Sequence, residues 1–225
     1  MKVILTGSTG MIGKGVLLAC LDRSDIEQVL VINRRSLQME HMKLKEILLD
    51  DFLSLDGIQE DLAGYDSCLF CLGTSSVGKS EEAYYRITYE LTTSFAKLFL
   101  KRNPNASFCY VSGAGTDSSE QGRMMWARVK GKTENELLQM PFASVHMFRP
   151  GYIQPLRGIK SSTGWYNAIY TLVGFLYPLL KRLPKYVTDT TAMATAMIDV
   201  AKNGYSKPIL ESIDINEIVR LSNSS

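Results

Sequence analysis

The sequence has little excess charge of either sign, few cysteines and only two histidines. Its 225 residues include 25 Lys and Arg and 23 Asp and Glu, so the formal net charge is +2. That excess is too small to indicate a nucleic-acid partner or an anionic membrane, although a local positive patch can still bind a phosphorylated small ligand. The two histidines, His41 and His146, are far apart in the chain, so we expect no metal site.

The four cysteines, Cys20, Cys68, Cys71 and Cys109, lie in apolar runs. Cys68 and Cys71 have the spacing of a redox motif, but such motifs begin a helix, where the thiolate is stabilised. In a strand, residues three apart point to opposite faces, so we expect no redox or metal function. Because a strand begins at Lys2 and no cleavable segment precedes it, the cysteine usage predicts a cytoplasmic location.

Residues 161–180 contain no charged side chain, which raises the question of a membrane span. A spanning helix needs about 20 predominantly apolar residues. This run is polar at its start and has Pro178 near its end. We therefore expect no stable membrane insertion and interpret the segment as a buried helix or an apolar lid over a ligand, with peripheral membrane contact as the alternative.

Short apolar runs alternate with helical patterns over the first 150 residues. The predicted strands are residues 2–6, 29–32, 46–49, 67–71, 107–111 and 144–148, and the predicted helices are residues 11–21, 80–101 and 125–140. Such alternation predicts a parallel sheet with right-handed crossovers, and continuous apolar strands indicate that helices cover both faces. The sequence therefore predicts a doubly wound α/β domain, a Rossmann fold, over residues 1–225.

The pattern changes after Arg149. Residues 150–190 are rich in aromatics, Gly and Pro, and a helix is predicted over 191–202, ended by Asn203-Gly204. Residues 208–210 are predicted to form a last edge strand. We expect residues 151–190 to cover a ligand cleft on the substrate side of the single domain.

The strongest motif lies where the first strand ends and the first helix begins. It comprises Gly7, Ser8, Thr9, Gly10, Met11, Ile12 and Gly13. In such a motif the first glycine permits a tight turn, the second lets the backbone approach a pyrophosphate, and the third lets helix and strand pack closely. The helix N-terminus adds free N–H groups and a positive dipole, so the motif predicts dinucleotide binding.

The end of the second strand indicates which dinucleotide binds. NAD sites usually carry an Asp or Glu there for the ribose 2′-hydroxyl, but this strand ends in Ile32-Asn33-Arg34-Arg35. Arginine forms forked hydrogen bonds to phosphate and stacks on adenine. The pair therefore favours NADP(H); the alternative is that both arginines are solvated loop charges.

The GxxGxxG spacing of the glycine motif resembles the extended and atypical short-chain dehydrogenase/reductase proteins. The wider match includes the segment WARVKGKTENE over 126–136 and Arg149-Pro150-Gly151 after the sixth strand. Residues 187–204 and 209–219 are similar to the Tat-interacting tumour-suppressor family of atypical NADP-binding reductase-like proteins. Such families are often described as nucleoside-diphosphate-sugar epimerase-like, which implies a sugar substrate that the residues do not independently indicate.

The resemblance implies further cofactor contacts at the carboxyl ends of strands. Asp51 and Phe52 follow the third strand, at the position that contacts adenine in the superfamily. Leu72, Gly73 and Thr74 follow the fourth strand and would pass near the adenosine ribose. Pro150 and Gly151 would flank the nicotinamide. For Asp51, a helix cap or loop carboxylate is the alternative.

The catalytic residues implied by the resemblance are incomplete. Short-chain dehydrogenases pair a Tyr and a Lys four residues apart with a Ser or Thr after the fifth strand. Lys130 is present and can bind the ribose, but Trp126 occupies the tyrosine position, and an indole cannot transfer a proton near neutral pH. Ser112 precedes Gly113 where the family has two hydroxyl residues. Tyr85 is the other candidate hydroxyl, with packing as its alternative role.

Two functions follow from these residues. The first is an NADP(H)-dependent oxidoreductase or epimerase-like enzyme that acts on an unknown small molecule through Lys130 and a hydroxyl from Ser112 or Tyr85. The second is a non-catalytic NADP(H)-binding regulator that acts through a protein partner. A homodimer is also compatible with the sequence.

Overall fold

The computed structural model of the chain describes residues 1–159 and 177–222. Its strands are β1 (Lys2–Thr6), β2 (Gln28–Asn33), β3 (Leu44–Leu48), β4 (Ser67–Phe70), β5 (Ser107–Val111), β6 (Ser144–Arg149), β7 (Tyr152–Gln154), β8 (Val187–Asp189) and β9 (Ile209–Glu211). A seven-stranded parallel sheet has the order β3-β2-β1-β4-β5-β6-β9, and β7 pairs in parallel with β8. The chain reverses direction across the sheet between β1 and β4, where ligands bind in open α/β sheets.

Helices flank the sheet on both faces. They are α1 (Met11–Asp22), α2 (Glu81–Tyr85), α3 (Leu91–Arg102), α4 (Met125–Leu138), α5 (Tyr177–Leu180), α6 (Thr190–Asn203) and α7 (Ser212–Ser222). A π-helical segment, Arg86–Glu90, joins α2 to α3, and a 3₁₀ turn spans Asp56–Ile58. Gly204 ends α6 with a φ of 71°, a backbone conformation that glycine adopts without strain.

Alternate residues along the strands enter two separate cores. Val29 and Val31 of β2 pack with α1, α6 and α7, whereas Leu30 and Ile32 pack with α3 and residues from the β3–β4 connection. Because both sheet faces are covered, the central strands β1, β2, β4 and β5 are mostly apolar, as expected for a parallel sheet. The predicted doubly wound Rossmann fold is confirmed.

Two features differ from the sequence-based expectations. The long helix predicted over residues 80–101 is interrupted by the π-helical segment, and α7 was not predicted. The predicted edge strand is present as β9 and lies parallel to β6. Periodicity detects a helix poorly when it changes pitch or follows a three-residue strand directly, which is the case at these two places.

The predicted cleft-covering region, residues 151–190, is described only in part. Its described residues form β7, α5 and β8. Most of the charge-free run of 161–180 lies outside the described residues, as does the predicted apolar lid within it. In the described part of the chain, no helix combines the length and apolarity needed to span a bilayer.

Candidate functional site

The glycine turn packs too tightly to accept side chains at two of its positions. Gly7 has a φ of 69°, and a Cβ there would lie 2.6 Å from the carbonyl carbon of Cys71 at the end of β4. A Cβ on Gly13 would lie 2.1 Å from the Gly7 carbonyl oxygen. The turn is closed by a hydrogen bond from Gly10 N to Gly7 O at 2.9 Å. Neither position therefore has room for a side chain.

The N-terminus of α1 offers backbone donors to a ligand. Gly10 is the N-cap, no side chain caps the helix, and its first turn contains no acidic residue. The N–H groups of the first helical turn, which includes Met11 and Ile12, have no partner within a helix. These amides and the helix dipole suit an anionic pyrophosphate. Thr9 is exposed beside them, whereas the buried Ser8 Oγ donates a hydrogen bond to Asn33 Oδ1 at 2.7 Å.

The two arginines after β2 are available to an anion. Arg34 and Arg35 are exposed, and neither forms a hydrogen bond or ion pair with another described residue. Asn33 is buried, with its Nδ2 donating to Glu46 Oε1 at 2.9 Å. The structure thus presents a pair of guanidinium groups at the edge where the adenosine half of a dinucleotide lies in this fold.

Glu46 is a site residue that the sequence did not reveal. Its Oε1 accepts hydrogen bonds from Asn33 Nδ2 and from Leu37 N, and its Oε2 accepts one from Ser36 Oγ at 2.7 Å. Burial raises the pKa of this carboxyl, but these hydrogen bonds outweigh the effect and lower the pKa below its ordinary value. A carboxylate therefore stands near the end of β2, although β3 supplies it. The pairing of Glu46 with Val31 in the β2–β3 register is what brings it there.

The residues predicted to contact a ligand after β3 and β4 differ in their exposure. Asp51 is exposed, and its Oδ1 accepts a hydrogen bond from Leu53 N at 2.9 Å. This contact is the one expected of a loop carboxylate, the alternative role given for Asp51 above. The Phe52 side chain is buried in the core, so its ring is not presented to a ligand. Leu72 N donates to Thr6 Oγ1, which ties this segment to the end of β1. Gly73 borders open space, and Thr74 is half-buried beside it.

Three residues one turn apart lie along one face of α4. They are Trp126, Lys130 and Glu134, at the i, i+4 and i+8 positions. Lys130 Nζ donates a hydrogen bond to the Ser112 carbonyl oxygen. Burial lowers the pKa of Lys130 to about 8, and the charge of Glu134 opposes the shift. The Trp126 ring lies against Gly115 in the loop that follows β5.

Ser112 forms hydrogen bonds both to Lys130 of α4 and to Phe148 near the end of β6. Its backbone N donates to Phe148 O at 2.9 Å, and its Oγ contacts the same oxygen at 3.2 Å. Pro150 O accepts from Ala114 N, and Gly151 N donates to Ser212 Oγ at 2.8 Å. The structure therefore brings Ser112, Lys130 and Pro150 into one neighbourhood at the carboxyl edge.

The Tyr85 side chain does not lie beside Lys130. Its ring stacks on Tyr89 with a centroid separation of 4.7 Å, and Lys132 Nζ lies 5.3 Å from the Tyr85 ring centre. Lys132 and Lys130 are two residues apart on a helix and point in nearly opposite directions. Tyr85 therefore lies on the other side of α4 from Lys130, against Tyr89 and Lys132.

The cysteines and histidines do not form a site in the described part of the chain. Cys68 and Cys71 enter the two opposite cores, as the strand geometry requires, and burial raises the pKa of both thiols. His146 is buried, and its Nε2 lies 3.2 Å from Tyr205 O. No group of three or more His, Cys, Asp or Glu residues is arranged to hold a metal there.

The seven-stranded parallel sheet with helices on both faces is the fold of solved short-chain dehydrogenases/reductases. The fold of YIR035C, a short-chain dehydrogenase/reductase from Saccharomyces cerevisiae, matches with a TM-score of 0.69 at 13% identity, over 96% of this chain and 98% of that one. WbmF from Bordetella bronchiseptica, solved with NAD+, matches with a TM-score of 0.65 at 15% identity, over 99% of this chain and 78% of that one. No protein-family model matches the sequence.

Two relatives are similar to this chain in sequence. Protein FMP52, mitochondrial, from Meyerozyma guilliermondii is 22% identical over 228 residues, which cover 98% of this chain and 96% of the relative. Protein HTATIP2 from Rattus norvegicus is 27% identical over 154 residues, which cover 68% of this chain and 62% of that protein. The predicted resemblance to the atypical short-chain dehydrogenases/reductases, with a Tat-interacting-protein-like subgroup, is confirmed.

The relatives overturn the predicted cytoplasmic location. The FMP52 proteins of Meyerozyma guilliermondii and Candida albicans are both named as mitochondrial. The prediction is wrong because it depended on cysteine usage. The four cysteines are free thiols, and three of them are buried, a state that is stable in any reducing compartment and so does not single out the cytoplasm.

Proposed function

We propose that this chain binds NADP(H) at the carboxyl edge of its sheet, with the pyrophosphate at the N-terminus of α1 and the 2′-phosphate at Arg34 and Arg35. The observation that carries the proposal is that both features follow the carboxyl ends of two neighbouring parallel strands, β1 and β2. The glycine turn leaves the helix amides uncovered, and the arginines have no competing partner among the described residues. Gly73 and Gly113, which border open space at the same edge, leave room for a ligand.

The two arginines should determine the choice between the two nicotinamide dinucleotides. Replacing both, as Arg34→Ala/Arg35→Ala, removes charge-assisted hydrogen bonds to a 2′-phosphate while leaving the pyrophosphate site intact. We expect NADPH affinity to fall by about 10- to 100-fold and NADH affinity to change little. Titration calorimetry with each dinucleotide measures both values.

A matched control for that titration is Arg220→Ala, which removes an exposed arginine from the last turn of α7. It should leave both affinities unchanged. Equal affinity of the unaltered protein for NADPH and NADH would refute the assignment to NADP(H), because the arginines would then contribute nothing to selection.

For chemistry we propose an oxidoreductase or epimerase-like activity on a small molecule with a carbonyl or alcohol group. NADPH, when bound, supplies a hydride. Lys130 holds the nicotinamide ribose, and its lowered pKa lets it carry or release a proton near neutral to mildly basic pH. Ser112 offers a hydroxyl beside it. Pro150 and Gly151 form the backbone wall next to the nicotinamide.

A second function, an NADP(H)-binding regulator without turnover, is favoured by one observation. Trp126 occupies the face of α4 where a proton-donating tyrosine would stand, and its ring packs on Gly115. Tyr85 faces away, and Ser112 Oγ already contacts Phe148 O. Such a protein would signal cofactor occupancy to a protein partner or to a second copy of this chain.

The variant Trp126→Tyr separates these two functions. A tyrosine there lies one helical turn before Lys130, so it restores an ionisable hydroxyl at the position next to the lysine. We expect reduction of a panel of aldehydes and ketones by NADPH to rise by at least about 10²-fold, the usual contribution of a positioned general acid. NADPH consumption at 340 nm is the measurement.

The gain should disappear in Trp126→Tyr/Lys130→Met, which keeps the hydroxyl but removes its charged neighbour. If Trp126→Tyr binds NADPH yet stays inactive on every substrate, the remaining residues are not arranged for reduction and the regulator is the better description. High activity already present in the unaltered protein would instead exclude the regulator.

We also propose that the chain functions in mitochondria, on the strength of its similarity to the FMP52 proteins over nearly its whole length. Subcellular fractionation of cells that express the chain with a C-terminal tag tests this. Co-sedimentation with a mitochondrial marker is the expected result, and a uniform distribution would contradict it.

A further inference from the structure

A single carboxylate fixes the loop that carries the two arginines. Glu46 accepts hydrogen bonds from the residue just before Arg34-Arg35 and from the two residues just after it. Its Oε1 holds Asn33 Nδ2 at 2.9 Å and Leu37 N at 3.0 Å, and its Oε2 holds Ser36 Oγ at 2.7 Å. The loop is therefore attached on both sides of the arginines to one rigid strand.

The same network reaches the glycine turn. Asn33 accepts from Ser8 Oγ at 2.7 Å, so a chain of side-chain hydrogen bonds joins Ser8, Asn33 and Glu46. Ser8 and Asn33 are both almost fully buried. On the outer side, Ser36 Oγ accepts from Gln38 N at 3.1 Å, and Gln38 has a φ of 50°, so the turn after the arginines is also held in a defined conformation.

We propose that Glu46 is a positioning residue that determines dinucleotide selectivity by holding Arg34 and Arg35 in the geometry that binds a 2′-phosphate. This inference rests on the proposed NADP(H) function and extends it to a residue outside the family motif. In this proposal Glu46 acts through the loop, because its described hydrogen bonds are all to Asn33, Ser36 and Leu37. Its effect comes from the loop conformation that it imposes before the ligand arrives.

The sign of the effect distinguishes positioning from direct electrostatics. A negative charge near the arginine loop repels a phosphate, so removing it would by Coulomb's law alone raise the affinity for NADPH. If Glu46 acts by positioning, its removal frees the loop and lowers that affinity instead. Two explanations thus predict changes in opposite directions for the same substitution.

The experiment measures NADPH and NADH dissociation constants for Glu46→Ala and Glu46→Gln in the full chain. We expect the ratio of NADPH to NADH affinity to fall about tenfold in Glu46→Ala because the arginines lose their fixed geometry. Glu46→Gln keeps an oxygen for Asn33 and Leu37 but loses the second acceptor, so its ratio should fall less. The proposal is overturned if the ratio of NADPH to NADH affinity stays the same or rises in both variants. If Glu46→Ala does not fold, the ratio measured for Glu46→Gln alone is used, and an unchanged or higher ratio overturns the proposal.

Two controls separate this role from general stability. Ile47→Ala, the next residue of β3, shortens a side chain in the other core and leaves the network intact, so it should lower thermal stability without changing the ratio. In a background of Arg34→Ala/Arg35→Ala, Glu46→Ala should change the ratio no further, because no arginine remains to be positioned. A further change in that background contradicts the proposal.

The unaltered protein distinguishes failure of this inference from failure of the proposed function. If it binds neither dinucleotide, or binds both equally, the NADP(H) assignment is refuted, and the positioning role of Glu46 is refuted with it. If it prefers NADPH and the Glu46 variants keep that preference, only the positioning role is refuted.

Discussion

The variant Gly13→Ala is expected to lose dinucleotide binding and to unfold more readily. A Cβ at this position would lie 2.1 Å from the Gly7 carbonyl oxygen, 2.6 Å from the Gly7 carbonyl carbon and 3.0 Å from the Ser8 Cα. These are backbone atoms of the glycine turn, so no side chain can move aside to make room. The turn must separate from α1, and the amides that would bind the pyrophosphate move with it.

We expect overpacking to lower the free energy of unfolding by about 1–3 kcal/mol and NADPH affinity to fall by at least about 100-fold, a loss of roughly 3 kcal/mol or more. Urea unfolding followed by circular dichroism and NADPH titration at 10 °C measure the two effects. The matched control is Gly57→Ala, where a Cβ would meet nothing within 4 Å. Unchanged NADPH binding in a folded Gly13→Ala protein would contradict the turn's assigned role.

Gly10→Ala makes the same test without the clash. Its Cβ would approach the Gly7 carbonyl oxygen only to 3.3 Å, a contact that a small shift relieves. Stability should therefore stay near that of the unaltered chain, while the added methyl group occupies the space where a pyrophosphate approaches the backbone. Loss of NADPH affinity with retained stability would assign the effect to the ligand instead of the fold.

The central sheet was predictable because its signals are local. Strands β1 and β5 have the predicted bounds, since each is an apolar run between polar residues. The first strand, the glycine turn and α1 follow one another directly, so their spacing in sequence is also their spacing in space. Helix α7 was missed because it starts immediately after β9, with no intervening turn residues to mark it.

The site was predictable only where it depends on local sequence. Arg34 and Arg35 could be found because they follow directly from the end of a strand. Glu46 could not, since it comes from a neighbouring strand and reaches Asn33 only through the register of β2 with β3. Tyr85 was selected by its position in sequence, but the helix that carries it turns its ring toward Lys132.

Replacement of Glu134 by Ala should cause the largest loss of stability among single changes near the site. Glu134 is fully buried on α4, and its carboxylate faces the Arg149 guanidinium, whose side chain is only 11% exposed. Arg149 Nε lies 3.1 Å from both carboxylate oxygens, and a second nitrogen also donates to the carboxylate. Without Glu134, the Arg149 guanidinium keeps one hydrogen bond among the described residues, to the Ser118 hydroxyl, and the Coulombic attraction of Glu211 and Asp117.

Breaking a buried pair on one side costs about 3–5 kcal/mol because the remaining charge loses its paired partner. For a chain of this length that loss corresponds to a fall in Tm of about 10 °C, measured by differential scanning calorimetry. Glu136→Ala on the same helix is the matched control. Glu136 forms an ion pair with Lys97, whose side chain is 62% exposed, so the loss of this pair should lower stability by less than about 1 kcal/mol.

The paired change Glu134→Leu/Arg149→Met tests whether charge is the cause. It removes both charges and keeps the volume, so stability should recover to within about 1–2 kcal/mol of the unaltered chain. In Glu134→Ala the pKa of Lys130 should also fall below about 8, because the charge of Glu134 opposes the effect of burial on that lysine. The same carboxylate thus pairs with Arg149 at the end of β6, which leads into Pro150 and Gly151, and raises the pKa of Lys130. A Glu134→Ala protein as stable as the Glu136→Ala protein would show that water reaches Arg149 and that α4 and β6 do not depend on this pair.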